Sequence, residues 1–312
     1  MRDLSVVVVS WNVRDLLRQS ISSVLSAPEP EGGLELIVVD NGSSDGSVEM
    51  VRATFPQVNL IANQENRGFP AANNQGIDVA RGRYVFLLNP DTEVVGDALR
   101  TMVAFADAHP DVGVVGPQLL NPDGTVQSSR RRFPTLATAF FESTWLESLA
   151  PRRLLDRYRV LDHPDDAILD VDWVDGAALM ARREAIEQVG PLDEGFFMYS
   201  EELDWCRRFR EAGWHVIHLP TAQIVHHRGK SSEQVVTARH IHFQTSKVRY
   251  FHKHHSGVAA GMLRLFLLAS YVWQMGIEGG KWLVGHRRPL RAQRIAAYWQ
   301  VLKSGLRRRE GL

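Results

Sequence analysis

The sequence holds one cysteine in 312 residues, Cys206, which excludes an intrachain disulfide and fits a reducing compartment. It has no excess of charge: 36 basic side chains meet 36 acidic ones, so nothing points to nucleic-acid binding. It has no charge-free apolar stretch of 18 residues. The nearest, Leu265 to Ile277, is 13 residues long and too short for a membrane span. The opening MRDLSVVVVS has neither the length nor the cleavage pattern of a signal peptide, so a cytoplasmic location is expected. Internal repeats and low-complexity linkers are absent. So is the GxGxxG turn of dinucleotide-binding folds; WNVRDL stands after the first strand instead.

What is present is a hydrophobic fraction of 44%, ample for one large core, and a regular alternation of patterns. Strands are expected at Leu4 to Ser10, Leu34 to Asp40, Asn59 to Ala62 and Tyr84 to Leu88. Helices are expected at Val13 to Leu25, Val48 to Thr54, Phe69 to Val79 and Val95 to Ala108. That order implies an α/β fold with a mostly parallel, Rossmann-like central sheet flanked by helices. Beyond it, Val112 to Leu120 reads as a strand and Asn121 to Gly124 (NPDG) as a turn. Ser129 to Asp166, with three consecutive arginines, reads as an irregular, partly mobile surface segment. Further strands are expected at Val171 to Met180, His215 to Leu219 and Gln223 to His227. Helices are expected at Arg183 to Val189, Glu201 to Ala212, Ser232 to Phe251, Ala259 to Met275 and Arg291 to Leu306. A boundary near residue 258 divides a domain of residues 1–258 from a helical tail of residues 259–312. From Gly261 onward ten basic residues face only Glu278 and Glu310, a local charge of +8 within a neutral chain.

Four stretches concentrate chemistry. In Val39 to Gly46 (VDNGSSDG) an acid leaves a strand into a turn with exposed N–H groups. Asp40 is placed there to accept from a base or ribose, and Asp45 to do the same or to cap the next helix. In Asn66 to Asn74 (NRGFPAANN), Arg67 precedes a helix N-terminus, where a bound anion would offset its charge, and Asn73 offers a donor and an acceptor. In Tyr84 to Thr92 (YVFLLNPDT), a buried strand stops at Asn89 and Pro90 and presents Asp91, a ligand for a hard divalent ion serving a diphosphate. A second ligand is expected from His226 or His227, at the exit of a later strand and followed by Arg228. In Tyr199 to Arg208, Glu201, Glu202 and Asp204 crowd one helical turn. Like charges held close raise one carboxyl's pKa, as a general base requires. In DWVDG, Trp173 is placed to pack around the site or stack on a ligand ring, and Asp175 to bind acceptor hydroxyls or to end a bulged edge strand.

Together these stretches resemble the GT-A glycosyltransferases of family 2, and within them the rhamnosyltransferase-like members. The matching segments are VDNGSSDGS, NRGFPAANNQG, LLNPDTE, DWVDGAALMARREA, FFMYSEELDWCRR and IVHHRGKS, in the family's order across residues 4–231. The resemblance implies a GT-A fold and inverting transfer of a sugar from a nucleotide-sugar donor with Mn2+ or Mg2+. Rhamnose from dTDP-rhamnose is the favoured donor. The acceptor is a hydroxyl of a glycan or polyprenyl-diphosphate-linked sugar in cell-surface polysaccharide synthesis. Asp40 then matches the nucleobase contact, with Asp45, Arg67, Asn73, Asn89 and Arg228 around the nucleotide and its diphosphate. Asn89-Pro90-Asp91 stands where the family has Asp-x-Asp, which leaves Asp91 as metal ligand with His226. Glu202 falls on the base position, with Asp204 as second choice, and Trp173, Asp175 and Glu201 face the acceptor. The tail, apolar and then arginine-rich, suits peripheral contact with an anionic inner membrane face, or a homodimer contact through its helices. Two rivals remain at this level. A sugar-1-phosphate nucleotidyltransferase would need a Gly-rich basic loop after the first strand, and a sugar-binding protein would not need the acidic turn at Glu201.

Overall fold

The computed structural model describes residues 2–142, 144–227 and 236–307. In chain order its elements are β1 (Arg2–Ser10), α1 (Arg14–Ser26), β2 (Leu34–Asp40), α2 (Ser47–Thr54), β3 (Asn59–Ala62), α3 (Phe69–Val79), β4 (Gly82–Leu88), β5 (Thr92–Val95) and α4 (Ala98–Ala108). There follow β6 (Val112–Leu120), β7 (Val126–Gln127), β8 (Arg130–Arg131), α5 (Leu136–Phe141), α6 (Arg152–Tyr158), β9 (Leu169–Asp170), β10 (Trp173–Val174), β11 (Ala178–Arg182) and α7 (Arg183–Val189). The last are α8 (Glu201–Glu211), β12 (His215–His226), α9 (Val236–His254), α10 (Gly257–Leu283) and α11 (Arg288–Ser304).

The described chain forms two compact units. The first holds residues 2–133, 156–197 and 201–227. Its sheet runs β3-β2-β1-β4-β11-β6-β12-β5, with β7 beside β6 and β9 beside β12. The block β3-β2-β1-β4 is parallel, as βαβ crossovers require, whereas β11 is antiparallel to both β4 and β6. Helices cover both faces, which is why β1 and β4 read as continuous apolar runs. Val6 and Val8 pack with Leu17 and Ile21 of α1 and Met102 of α4. Val7 and Val9 point the other way, toward Ala72 of α3 and Trp205 and Phe209 of α8.

Several expectations change. The single strand expected at Val171 to Met180 is two, β10 in a small sheet with β8 and β11 in the main sheet. The two strands expected at His215 to Leu219 and Gln223 to His227 are one strand, β12, with a register shift between Leu219 and Gln223. Pro220, which has no N–H to donate, sits in that irregularity. The segment from Ser129 to Asp166 is built into the fold rather than left irregular at the surface. Arg130 is buried, and its guanidinium donates to the carbonyls of Val160, His163 and Pro164 and pairs with Asp165 at 3.0 Å. Meanwhile β8 pairs with β10 in a small sheet of its own. The expected 13-residue apolar core of the tail is part of α10, whose 27 residues are long and apolar enough to cross a membrane by length and composition.

The second unit holds residues 134–155, 198–200 and 236–307 among those described. Thr135 begins α5 with a capping box to Thr138, and Ser256 caps α10 through the Ala259 N–H. Phe140 of α5 meets Phe266 of α10 edge-on at 4.7 Å. Buried Glu278 of α10 takes Arg291 of α11 at 2.7 Å, with Arg294 at 3.4 Å, so this hairpin is held by charge inside an apolar frame.

Candidate active site

Because β1, β2 and β4 run parallel, Ser10, Asp40 and Leu88 finish at one edge of the sheet, where open α/β folds bind ligands. Asp40 is 1% exposed. Its Oδ2 accepts the Ser43 N–H at 2.9 Å, while Oδ1 has no hydrogen-bond partner among the described residues, and neither has the Oγ of its register partner Ser10. A buried oxygen left unsatisfied costs about 1–3 kcal/mol. An incoming N–H or O–H donor, as a base or ribose supplies, relieves that cost. Asn41 ties this turn to the next motif. Its amide donates to Asn66 Oδ1 and the Gly68 carbonyl and accepts the Arg67 N–H at 3.1 Å. Gly68 has φ +86°, and a Cβ there would lie 2.8 Å from the Phe197 carbonyl oxygen, which accepts the Phe69 N–H. Arg67 is therefore held by its backbone, with an exposed side chain that has no hydrogen bond or ion pair among the described residues.

Two expected nucleotide contacts are engaged in holding the fold. Asp45 accepts from the Ser47 N–H and hydroxyl through Oδ1 and from the Arg14 N–H through Oδ2. Burial pushes its carboxyl up, but these hydrogen bonds outweigh burial and leave it below the usual range. Asn73 donates back to the Phe69 carbonyl at 2.9 Å within α3. Arg228 lies outside the described residues.

The exit of β4 is tied down at both ends. The Asn89 N–H donates to the Ala177 carbonyl, and the Thr92 hydroxyl donates to the Asn89 carbonyl. After Pro90 the chain enters β5, whose Thr92 pairs in register with His226 of β12, and the His227 N–H donates to the Asp91 carbonyl. That ladder brings Asp91 Oδ1 to 3.4 Å from His226 Nε2, with both side chains nearly buried. It also separates the two histidines: His227 Nε2 lies 2.6 Å from Glu93 Oε1, away from Asp91. Adjacent octahedral ligands about 2.1 Å from an ion lie about 3 Å apart, so one carboxylate oxygen and one imidazole nitrogen fit a hard or borderline divalent cation. The described residues contain no group of three or more His, Cys, Asp or Glu that could hold a metal. The remaining coordination positions would fall to substrate oxygens and water.

Beside the β4 exit, the turn leading into β11 carries Asp175, whose Oδ1 accepts the Ala177 N–H. Its backbone N–H donates to Ser129, and the Trp173 indole donates to the Arg132 carbonyl, so the DWVDG segment is fastened to the β8 region. Gly176 packs on Glu202 of α8: a Cβ at Gly176 would stand 3.2 Å from the Glu202 Cβ and Cγ. Glu201 is 4% exposed. Burial, then the carboxylates of Glu202 and Asp175, push its carboxyl well above the ordinary range. Glu202 is half-buried. Asp204 is fully buried in an ion pair with Arg208 at 3.0 Å, and Arg208 also donates to the carbonyls of Val189 and Pro191. That arrangement makes Asp204 an anchor for the 189–191 loop through Arg208. Ser10, Asn41 and Gln127, the last 2.7 Å from His226 Nδ1, were not singled out from sequence. Asn41 adjoins Asp40 inside a recognised motif, whereas Gln127 is 99 positions from its histidine and carries no local signal.

The family description "Glycosyl transferase family 2" matches residues 5–169, more than half of the chain. The chain is 28% identical over 278 residues to an N-acetylglucosaminyl-diphospho-decaprenol L-rhamnosyltransferase of Mycobacterium tuberculosis, covering 86% of this chain and 90% of the relative. It is 25% identical over 230 residues to the low-salt glycan biosynthesis hexosyltransferase Agl10 of Haloferax volcanii, covering 72% and 67%. In fold it is similar to the mannosyltransferase PcManGT of Pyrobaculum calidifontis, solved with GDP-Man and Mn2+, with a TM-score of 0.58, 18% identity and 98% and 85% of the two chains covered. It is similar also to GalNAc-T7 solved with UDP, GalNAc and Mn2+, with a TM-score of 0.55, 17% identity and 73% and 44% covered. The parallel strand edge, its acidic turns and these matches agree: the chain has the GT-A fold and belongs to glycosyl transferase family 2, the inverting transferases of nucleotide-sugars.

Proposed function

We propose that this chain transfers L-rhamnose from dTDP-rhamnose to a hydroxyl of a polyprenyl-diphosphate-linked sugar, at a membrane face, in cell-surface polysaccharide synthesis. The observation that carries the donor half is the convergence on one sheet edge of three things: the unsatisfied Asp40 oxygen, the buried Asp91–His226 pair and the carboxylates at Glu202. The sugar and the lipid-linked acceptor rest on the mycobacterial relative, which matches along nearly its whole length.

In this reading Asp40 accepts a hydrogen bond from the base or ribose, and Arg67 reaches the diphosphate with its uncommitted guanidinium. Asp91 and His226 would hold Mn2+ or Mg2+, which supplies positive charge to the leaving diphosphate. The Glu202 carboxylate takes the proton of the acceptor hydroxyl. The hydroxyl oxygen bonds to C1 from the face opposite the diphosphate. The C1–O bond breaks, and its electron pair leaves on the nucleoside diphosphate. One such displacement inverts C1 and requires one base and no enzyme nucleophile. The Glu201 carboxyl, pushed well above the ordinary range by burial and then by Glu202, holds its proton more tightly than an ordinary carboxyl does. Trp173 and Asp175 border the acceptor side.

A donor screen tests this: dTDP-rhamnose against UDP- and GDP-sugars, with and without Mn2+, using wild type and Glu202→Gln. Turnover in Glu202→Gln equal to wild type would sink the base assignment. Preference for another donor would sink the rhamnose assignment while leaving the site intact.

The membrane half rests on α10. Val258, Met262, Leu265, Val272, Trp273 and Leu283 are exposed, and at about 100° per residue their positions fall on one stripe about 40 Å long. Lys281, Arg287 and Arg288 lie at the far end of that stripe. Apolar burial with basic residues alongside suits a helix lying in an anionic interface. Flotation of the full-length protein with phosphatidylglycerol vesicles should fail in a Leu265→Glu/Trp273→Glu variant. A variant that still floats but loses mass in sedimentation would instead assign the stripe to a homodimer.

A further inference from the structure

We propose that Gln127 is a positioning residue. Its amide, oriented by one-way hydrogen bonds from the turn at residues 121–125, keeps a proton on His226 Nδ1 and so fixes the ring with Nε2 turned toward Asp91. The use of Nε2 rests on the reading of Asp91 and His226 as metal ligands, whereas the proton on Nδ1 does not.

The polarity starts at a group that can only accept. The Asp123 carboxylate takes the Thr125 hydroxyl at 2.6 Å and the Thr125 N–H at 3.0 Å. These two bonds, the hydroxyl first, hold its carboxyl below the usual range, so it is ionised at neutral pH. The single proton of the Thr125 hydroxyl is thereby committed, and its oxygen can only accept from Asn121, 2.9 Å away. Asn121 must present Nδ2 to Thr125 and therefore Oδ1 to Gln127, whose Nε2 donates to it at 2.9 Å.

A second constraint gives the same answer independently. Gln127 Nε2 also donates to the backbone carbonyl of His226 at 3.2 Å, an oxygen that has no proton to offer. With Nε2 fixed twice, Gln127 Oε1 faces His226 Nδ1 at 2.7 Å, and a carbonyl oxygen there demands an N–H. Gln127 thus grips the main chain and the ring of one histidine at once. Rotating its amide would set its one oxygen against two others, Asn121 Oδ1 and the His226 carbonyl.

The register of the sheet makes this possible. Gln127 of β7 lies opposite Leu119 of β6, and β6 runs beside β12 with Leu120 opposite Val225. The hairpin carrying the turn therefore delivers Gln127 to the strand end where His226 sits. A ligating imidazole ordinarily has its second nitrogen held by such an acceptor, and losing that acceptor weakens metal binding by about 10–100-fold.

Selective 15N-histidine labelling reads the tautomer in the metal-free protein, with His226→Ala used to assign the signal. Wild type should show Nδ1 protonated. In Gln127→Leu a form protonated only at Nε2 should appear, and Mn2+ affinity in the presence of dTDP, followed by EPR of free Mn2+, should fall about 10–100-fold. Thr125→Val, at an exposed turn, removes one of the two constraints and should leave Nδ1 protonated, because the His226 carbonyl still orients the amide. A bare Nδ1 in wild type or in Thr125→Val, or no change of tautomer in Gln127→Leu, would overturn the proposal. Unchanged Mn2+ affinity in His226→Ala would overturn the ligand reading itself, and is scored apart from the tautomer measured without metal.

Discussion

His218 and His226 stand on one strand, β12, both buried, and their surroundings give them opposite chemistry. His218 lies 3.4 Å from the guanidinium of Arg130. Burial, and then that neighbouring cation, push its pKa down to about 4, so at neutral pH it is an uncharged filler of the core. His226 faces the Asp91 carboxylate with one nitrogen and the Gln127 amide with the other. The difference is not in the residue or in the strand. It lies in what the neighbouring strands place opposite: a clamped arginine from β8 in one case, a strand-exit aspartate in the other. Composition counts both as two of 12 histidines.

The comparison breaks most visibly at the active-site end. His226→Ala or Asp91→Ala should lower turnover by at least about 100-fold, because a bound metal contributes several kcal/mol to the transition state. Melting temperature should stay close to wild type, and a large drop in it would merge the two histidines into one structural class. At the other end, Arg130→Met should cost about 3 kcal/mol of stability, since it removes the donor from three carbonyls and breaks a buried arrangement. Turnover per folded molecule should remain, as denaturant titration and rate assays on the same sample would show.

His218 also predicts a pH dependence. Its folded pKa is depressed to about 4 from an ordinary 6.5, so between those values the unfolded chain binds a proton that the folded chain refuses. Its contribution is complete above pH about 6.5 and is lost as pH falls toward 4, amounting to about 3 kcal/mol. His218→Leu should flatten that part of the stability curve measured by urea unfolding; an unchanged slope would assign the loss to other groups. The smallest effect sharpens the acidic side of the site. Gly176→Ala adds a methyl 3.2 Å from Glu202 and should displace it by a few tenths of an ångström, lowering turnover a few-fold with KM for the donor unchanged.

Much of this was legible from residue order. The alternation of buried strands and helices through residue 108 announces the α/β sheet, because period and length are local properties that the chain carries into any environment. YVFLLNPDT announces a strand exit with a carboxylate, since Pro90 forbids the strand to go on. The same local logic could not name the partners of Asp45 and Asp204. An acid beside a helix start looks alike whether it meets a ligand or a nearby N–H or arginine, and only packing placed Ser47 and Arg208 against them. It failed also from Ser129 to Asp166, where Arg130 finds its carbonyls more than thirty positions away.

What the sequence determined alone is the inventory and its order: a strand-exit acid at Asp40, a second at Asp91, an acidic first turn at Glu201 and Glu202, and an apolar then basic tail. What only the tertiary structure decided is which partner each group meets. Sheet register set His226 beside Asp91 by pairing Thr92 with His226, and sent His227 to Glu93. It also brought Gln127 across 99 positions to fix the ring that the sequence could only name. The reason is physical: propensity and pattern act over a few residues, whereas hydrogen-bond polarity and charge act over a few ångströms, and it is the fold that converts one distance into the other.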